Sequence, residues 1–350
     1  MIQKKERMTN IELLRIILMF IIVYSHFATH STFEFKSEMS INHLLLQITR
    51  LGEVGVTGFV IISGYFSIKK DKTYNKTLNL IIEVWIYNVC IIGMMLIMGK
   101  VNSITGIVHS VVPIYNTHWF AYVFIFLYLL VPYINIFLKN LEKRNFRRIL
   151  LILGLFWGFL YPLTGADFNF SYLGWFIFLY MLGAYKALYP SKIEIRKSIL
   201  IIVSCMLGLI ISTILIDYIE WRLDIPLDRY SNYFYSLYSP LIWVLGSSLF
   251  DVFLSINLGT KKFINMISKS VFAVYIISDN PYIRNLLWNN CFNNIQYSDS
   301  KYLLLIGAVE TSIIFFVCIS IDKIRKFILK DKIDYFINDK IKKIKFRKII

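Results

Sequence analysis

Ile11-Glu-Leu-Leu-Arg15-Ile-Ile-Leu-Met-Phe-Ile-Ile-Val-Tyr-Ser-His26 reads as the first membrane-spanning helix of this chain, and it carries an arginine and a histidine eleven residues apart. At about 100° and ~1.5 Å per residue, eleven steps return to nearly the same helix face and rise roughly 16 Å. One stripe therefore bears a permanent cation near one membrane boundary and a titratable imidazole about three turns away. Ionisable groups at that depth are costly unless they meet a partner or a wet cavity. Glu12, three residues before Arg15, offers local neutralisation of the arginine. That pairing leaves His26 without an explanation.

The apolar character recurs along the chain. Of 350 residues, 57% are hydrophobic and 17% charged, and the long apolar runs predict an all-α integral membrane protein. Ten segments qualify as transmembrane helices: 9–28, 50–68, 77–99, 117–138, 147–165, 171–189, 198–217, 233–255, 262–281 and 302–321. The segment 50–68 contains Glu53 and several glycines, and 262–281 contains Lys269 among serines. A net charge of +16 would suit nucleic acid, but the basic residues stand in short clusters between apolar runs. Membrane orientation is the better account, and no nucleic-acid partner is expected. Lys4 to Arg7, Lys69 to Lys76, Lys139 to Arg148, Lys186 to Lys197, Lys261 and Lys262, and the tail from Lys323 fall on one side. That side is cytoplasmic, so both termini are expected inside a multi-pass protein of the cell membrane. The basic start followed by an apolar run looks like a signal peptide, but no small-residue cleavage site follows, so an uncleaved first helix is expected. A membrane domain over 1–321 and a basic, amphipathic cytoplasmic tail over 322–350 complete the expected organisation.

Several residues stand out as carriers of chemistry. The second span reads Phe59-Val-Ile-Ile-Ser63-Gly64-Tyr65-Phe66 and is followed by Lys69 and Lys70. Gly64 permits close approach of a backbone or a substrate, while Ser63 and Tyr65 offer hydroxyls; a glycine there also serves simple helix packing. Lys69 and Lys70 stand at the cytoplasmic mouth, where they suit phosphates as well as ordinary membrane orientation. The fourth span opens with His118-Trp119-Phe120 and ends with Pro132 and Asn135, whose amide suits a backbone group freed by the proline. Glu83, Asp251, Lys269 and Glu310 are the remaining intramembrane ionisable groups and are site candidates on that ground. The external loops 29–49, 100–116, 218–232 and 282–301 mix polar and aromatic residues, including His30, and suit sugar hydroxyls or a wet membrane rim. No Cys/His spacing points to a metal.

Taken in order, these motifs resemble a known family over nearly the whole chain. They are Glu12-Leu-Leu-Arg15 with His26, the Ser63-Gly64-Tyr65 segment, and Trp119-Phe120 leading to Tyr128-Leu-Leu-Val-Pro132 and Asn135. Trp175 to Tyr185, Tyr238-Ser239-Pro240 and Ser268 to Tyr275 complete the set. The chain resembles the acyltransferase-3 family, multi-span O-acyltransferases of surface glycans, and looks most like members from capsule and exopolysaccharide clusters. The resemblance implies ten spans with both termini inside. It implies that Arg15 and His26 are the functional pair and that Lys69 and Lys70 handle the donor. It also marks a departure: relatives commonly place a histidine before Asp-Asn, where this chain has Ser278-Asp279-Asn280. With no second soluble domain, transfer is expected to finish within the membrane part.

The expected activity is O-acyl transfer, with acetyl-CoA as donor and no permanently bound cofactor. The acceptor is a hydroxyl of a surface polysaccharide or lipid-linked glycan. An alcohol attacking a thioester needs a base near the hydroxyl and positive charge near the developing oxyanion. His26 is the expected base. Arg15, roughly 16 Å away along the axis, is expected to hold the donor together with Lys69 and Lys70. Ser63, Gly64, Tyr65, Trp119, Asn135 and Asp279 are the expected substrate-lining residues. The alternative class is a transporter or flippase for a glycan or lipid-linked sugar; the absence of evident two-half symmetry counts against it. A membrane polymerase or structural subunit is disfavoured because the external loops are short.

Overall fold

In lipid, a spanning segment must satisfy its backbone within itself, and helices do so. The computed structural model is all-helical, with no strand among the described residues, which are 7–37, 39–69, 74–100, 105, 107–108, 118–160, 171–225 and 228–343. In chain order the helices are α1 (Thr9–His30), α2 (Ile41–Ile48), α3 (Gly52–Ser67), α4 (Tyr74–Ile97) and α5 (Trp119–Lys139). They continue with α6 (Lys143–Leu155), α7 (Tyr172–Leu188), α8 (Ile195–Leu223), α9 (Asp228–Tyr235) and α10 (Pro240–Ser255). The last are α11 (Lys262–Ile267), α12 (Val271–Ser278), α13 (Pro281–Asn285) and α14 (Leu303–Lys343).

Seven stretches among the described residues are long and apolar enough to cross a membrane: Thr9–His30, Ile41–Ser67, Thr77–Ile97, Trp119–Lys139, Ile195–Leu223, Asn232–Ser255 and Leu303–Leu329. Three expected spans take other forms. Residues 171–189 form α7, which is apolar but has 17 residues. The segment 147–165 lies in α6 and the π turn Phe156–Leu160 that follows it, and residues 161–165 lie outside the described residues. The segment 262–281 is α11, a 3-10 turn over Ser268–Ser270, and α12. Serine hydroxyls compete with the main chain for hydrogen bonds and weaken a helix interior. Here Ser268 Oγ donates to the Asn265 carbonyl at 3.3 Å, and Lys326 Nζ on α14 donates to the Lys269 carbonyl at 2.8 Å. α14 runs unbroken across residues 321 and 322, where the membrane domain was expected to give way to the tail; residues 344–350 lie outside the described residues.

α3 lies at the centre, packed against α1, α7 and α10. Its glycines make this possible. A Cβ on Gly55 would stand 2.6 Å from the Leu18 carbonyl of α1, and one on Gly64 would collide with the Tyr180 carbonyl of α7. Gly183 on α7 repeats the arrangement against the Ile61 carbonyl, so the two backbones cross where each helix offers hydrogen in place of a side chain. Leu14 and Leu18 of α1 pack there on Ile61 and Ile62 of α3 and on Phe250 of α10. On α8 the large apolar residues Ile199, Leu200, Val203, Leu207, Ile211 and Leu215 are exposed, a face that suits lipid.

Most of the intramembrane ionisable groups are absorbed by this packing. Glu83 of α4 accepts from Arg325 at 2.8 Å; Arg325 also donates to fully buried Asp322 at 2.7 Å. Tyr87 donates to Asp322 at 2.7 Å, and Lys326 pairs with the same carboxylate. Asp251 on α10 accepts from Lys186 on α7 at 2.6 Å, and Glu310 accepts from Asn294 at 3.0 Å. Lys269 is exposed.

Candidate active site

His26 and His30 occupy one face of the last turn of α1, with ring centroids 4.9 Å apart. His30, expected in an external loop, is the final residue of the helix. The partner of both is Asp279, the residue that ends α12. Its Oδ1 lies 3.4 Å from His30 Nε2, 4.0 Å from His26 Nε2 and 3.8 Å from Arg284 Nη1.

The local sequence explains why the aspartate is held there. The Asp279 amide donates to the Tyr275 carbonyl at 3.0 Å and closes α12. Asn280 then caps α13, accepting from the Tyr282 amide at 3.1 Å, with Pro281 in the first turn, where its missing N–H is harmless. Asn280 also donates to Asn88 Oδ1 on α4 at 3.2 Å, and the same oxygen lies 3.1 Å from His118 Nε2 at the start of α5. A polar chain from α4 and α5 thus fixes the turn that carries Asp279.

A cavity of about 340 Å³ opens in front of these groups. His26, His30, Asp279 and Arg284 share its lining with Trp119, Glu53, Arg50 and Tyr275. Gly52 brings the start of α3 close to α1 at this point: a Cβ there would meet Ser25 Oγ at 3.0 Å. Two guanidinium groups, two carboxylates and two imidazoles therefore face one space bounded by aromatic rings. His26 Nδ1 is buried without a protein hydrogen-bond partner, so Nε2 is the nitrogen turned toward Asp279 and the cavity.

Of the residues expected from the sequence, the structure brings together His26, Trp119 and Asp279. The others lie elsewhere. Arg15 is on α1 as expected but does not line this cavity, and Glu12 pairs with Arg7 at 3.3 Å. Ser63 Oγ donates to the Phe59 carbonyl at 2.9 Å within α3, and Gly64 sits in the α3–α7 crossing. Asn135 donates to the Ser67 carbonyl at 3.0 Å and accepts from Tyr180 at 2.7 Å, tying α5 to α3 and α7. Tyr65 borders a second cavity, of about 370 Å³, with Lys186, Lys192 and Asp251. Lys69 is exposed with its ammonium 5.6 Å from the Tyr65 ring centre; Lys70 lies outside the described residues. Sequence reading places His30 only among external-loop residues suited to sugar hydroxyls, and does not count the cavity-lining Glu53, Arg50, Tyr275 and Arg284 among the site candidates. The spacing His26-x-x-x-His30, one helical turn, was the available signal for His30.

The fold and the site define a helical membrane protein in which a half-buried histidine stands beside a buried carboxylate on the wall of an open cavity. The family model described as an acyltransferase domain matches residues 8–321. The chain belongs to the acyltransferase-3 family, and its general class is that of a membrane acyltransferase. No curated protein and no solved structure matches it.

Proposed function

We propose that the protein is a multi-pass O-acyltransferase of the cell membrane that moves acetyl from cytosolic acetyl-CoA to a hydroxyl of a surface polysaccharide or lipid-linked glycan. The observation that carries this reading is His26 Nε2 facing the cavity 4.0 Å from Asp279 Oδ1. That separation exceeds a hydrogen bond, leaving Nε2 accessible from the cavity to a substrate hydroxyl. As the hydroxyl oxygen attacks the thioester carbonyl, Nε2 takes its proton. The new C–O bond forms, the C–S bond breaks, and the proton on Nε2 passes to the departing CoA sulfur. Asp279 stabilises the imidazolium formed on the way, and Arg284 supplies positive charge for the transient oxyanion.

A cavity of about 340 Å³ accommodates a reacting acyl group and part of a sugar, not a whole CoA molecule. The nucleotide therefore stays at the cytoplasmic mouth, held by Arg15, Lys69 and Lys70, while the pantetheine arm reaches the thioester toward His26. The positive-inside distribution of loop charges favours this polarity, with both termini cytoplasmic and ten crossings in all. Trp119, Glu53 and Tyr275 line the acceptor side, where an aromatic face and polar groups suit a sugar.

Purified full-length protein in lipid nanodiscs, given acetyl-CoA and the polysaccharide of its own cell, tests the reading. Release of free CoA that depends on the acceptor, and is lost in His26→Ala, is the expected result. CoA release unaltered by His26→Ala removes the histidine from the reaction.

A further inference from the structure

His26 and His30 leave α1 on one side, a single turn apart, and the end of α12 brings Asp279 against both. One ligand-capable atom from each of the three lies within 4.8 Å of the other two. We propose that these side chains form a site for a divalent transition-metal ion, with Zn²⁺ the best match, and that filling it stops acyl transfer by occupying the His26 nitrogen. The inhibitory half of this statement rests on the role given to His26 above; the binding half does not.

The donor set selects the metal. Two imidazole nitrogens and one carboxylate oxygen suit Zn²⁺, whereas Mg²⁺ and Ca²⁺ take oxygen ligands almost alone. Zn²⁺ binds such atoms at about 2.0–2.2 Å, which sets the edges of a tetrahedral site at roughly 3.4 Å. His30 Nε2 already stands 3.4 Å from Asp279 Oδ1. His26 Nε2 stands 4.0 Å from the same oxygen, and the three donor atoms lie within 4.8 Å of one another, so the two rings must draw together around the ion. The three side chains are 15%, 25% and 9% exposed, so an ion reaches them from the cavity, whose space leaves the fourth position to water.

The surrounding charges act in both directions. Arg284 Nη1 lies 3.8 Å from the same Asp279 oxygen and competes with a metal for it. Arg50 adds a second positive group to the lining, and Glu53 adds a negative one. A metal ion bound to Nε2 takes up the lone pair that would accept the proton of the acceptor hydroxyl, and it draws Asp279 away from its partners.

The test uses full-length protein in detergent micelles, freed of metal with a chelator. ZnCl₂ is titrated by calorimetry, and CoCl₂ is followed by visible absorption as a spectroscopic substitute. One ion per chain, a tetrahedral Co²⁺ spectrum and displacement of Co²⁺ by Zn²⁺ are expected. His30→Gln is expected to weaken Zn²⁺ by about tenfold or more, and Arg284→Gln to tighten it. Acetyl transfer by the unaltered protein should fall over the same Zn²⁺ range as binding. No saturable binding below about 0.1 mM Zn²⁺, or binding unchanged in both His26→Ala and His30→Gln, overturns the site. Binding that leaves transfer intact overturns the inhibitory half, and with it His26 as the base, while the metal site stands.

Discussion

A histidine serves as a base in a low-dielectric site only if its protonated form finds a compensating charge, and Asp279 is the carboxylate placed to give it. In the proposed mechanism, Asp279→Asn keeps the shape of the site but removes that charge. Turnover should drop by about 10²–10⁴-fold, with little change in the KM for acetyl-CoA, in assays of CoA release by purified protein. A rise in KM at unchanged turnover would place Asp279 in donor binding instead. Arg15 is expected to behave in the opposite way. Its removal in Arg15→Ala should raise the KM for acetyl-CoA by about tenfold, the loss of one charge-assisted phosphate contact, and leave turnover nearly intact. An unaltered KM would remove Arg15 from the donor. The sequence singles out His26 because a single imidazole in an apolar run has no cheap structural explanation. It did not reveal His30 or Arg284, because their meaning comes from Asp279, which only folding brings beside them.

The helices divide between those that hydropathy finds and those that local hydrogen bonding reshapes. Runs such as Thr9–His30 and Trp119–Lys139 follow from apolar length alone. The break at Ser268–Ser270 does not, since the lysine that bonds the Lys269 carbonyl comes from a helix far along the chain. The same holds for Gly64. Its sequence neighbours suggest a substrate contact as readily as a packing contact, and the structure sets it against the Tyr180 carbonyl. The α3–α7 crossing therefore predicts a strong size dependence. Gly183→Val should cost about 1–3 kcal/mol, seen as a lower Tm in detergent, because the obstructing atom is backbone and cannot rotate away. Gly93→Ala on α4 is the internal control: a Cβ there meets nothing within 4 Å, and its Tm should hold or rise slightly. Equal Tm values for Gly183→Val and the unaltered protein would contradict the close crossing.

Across the whole molecule, charge is arranged for two purposes. One set locks helices together: Arg325 joins Glu83 of α4 to Asp322 of α14, whose carboxylate is fully buried. Arg325→Met should cost about 3 kcal/mol, measured by unfolding in detergent; no loss of stability would mean that the network holds nothing. The other set gathers around the cavity at the end of α1, and in the proposed function it performs the transfer. Loop charges lead the sequence reading to expect a membrane polarity, yet they give no sign that the Asp279 carboxylate comes to lie beside His26. The central claim is that His26 takes the acceptor's proton. Proton NMR of the surface polysaccharide, from a deletion strain complemented with His26→Ala at normal membrane abundance, tests it most directly. The account predicts that the O-acetyl signal is absent with His26→Ala and restored by the unaltered chain. A full O-acetyl signal with His26→Ala would contradict it.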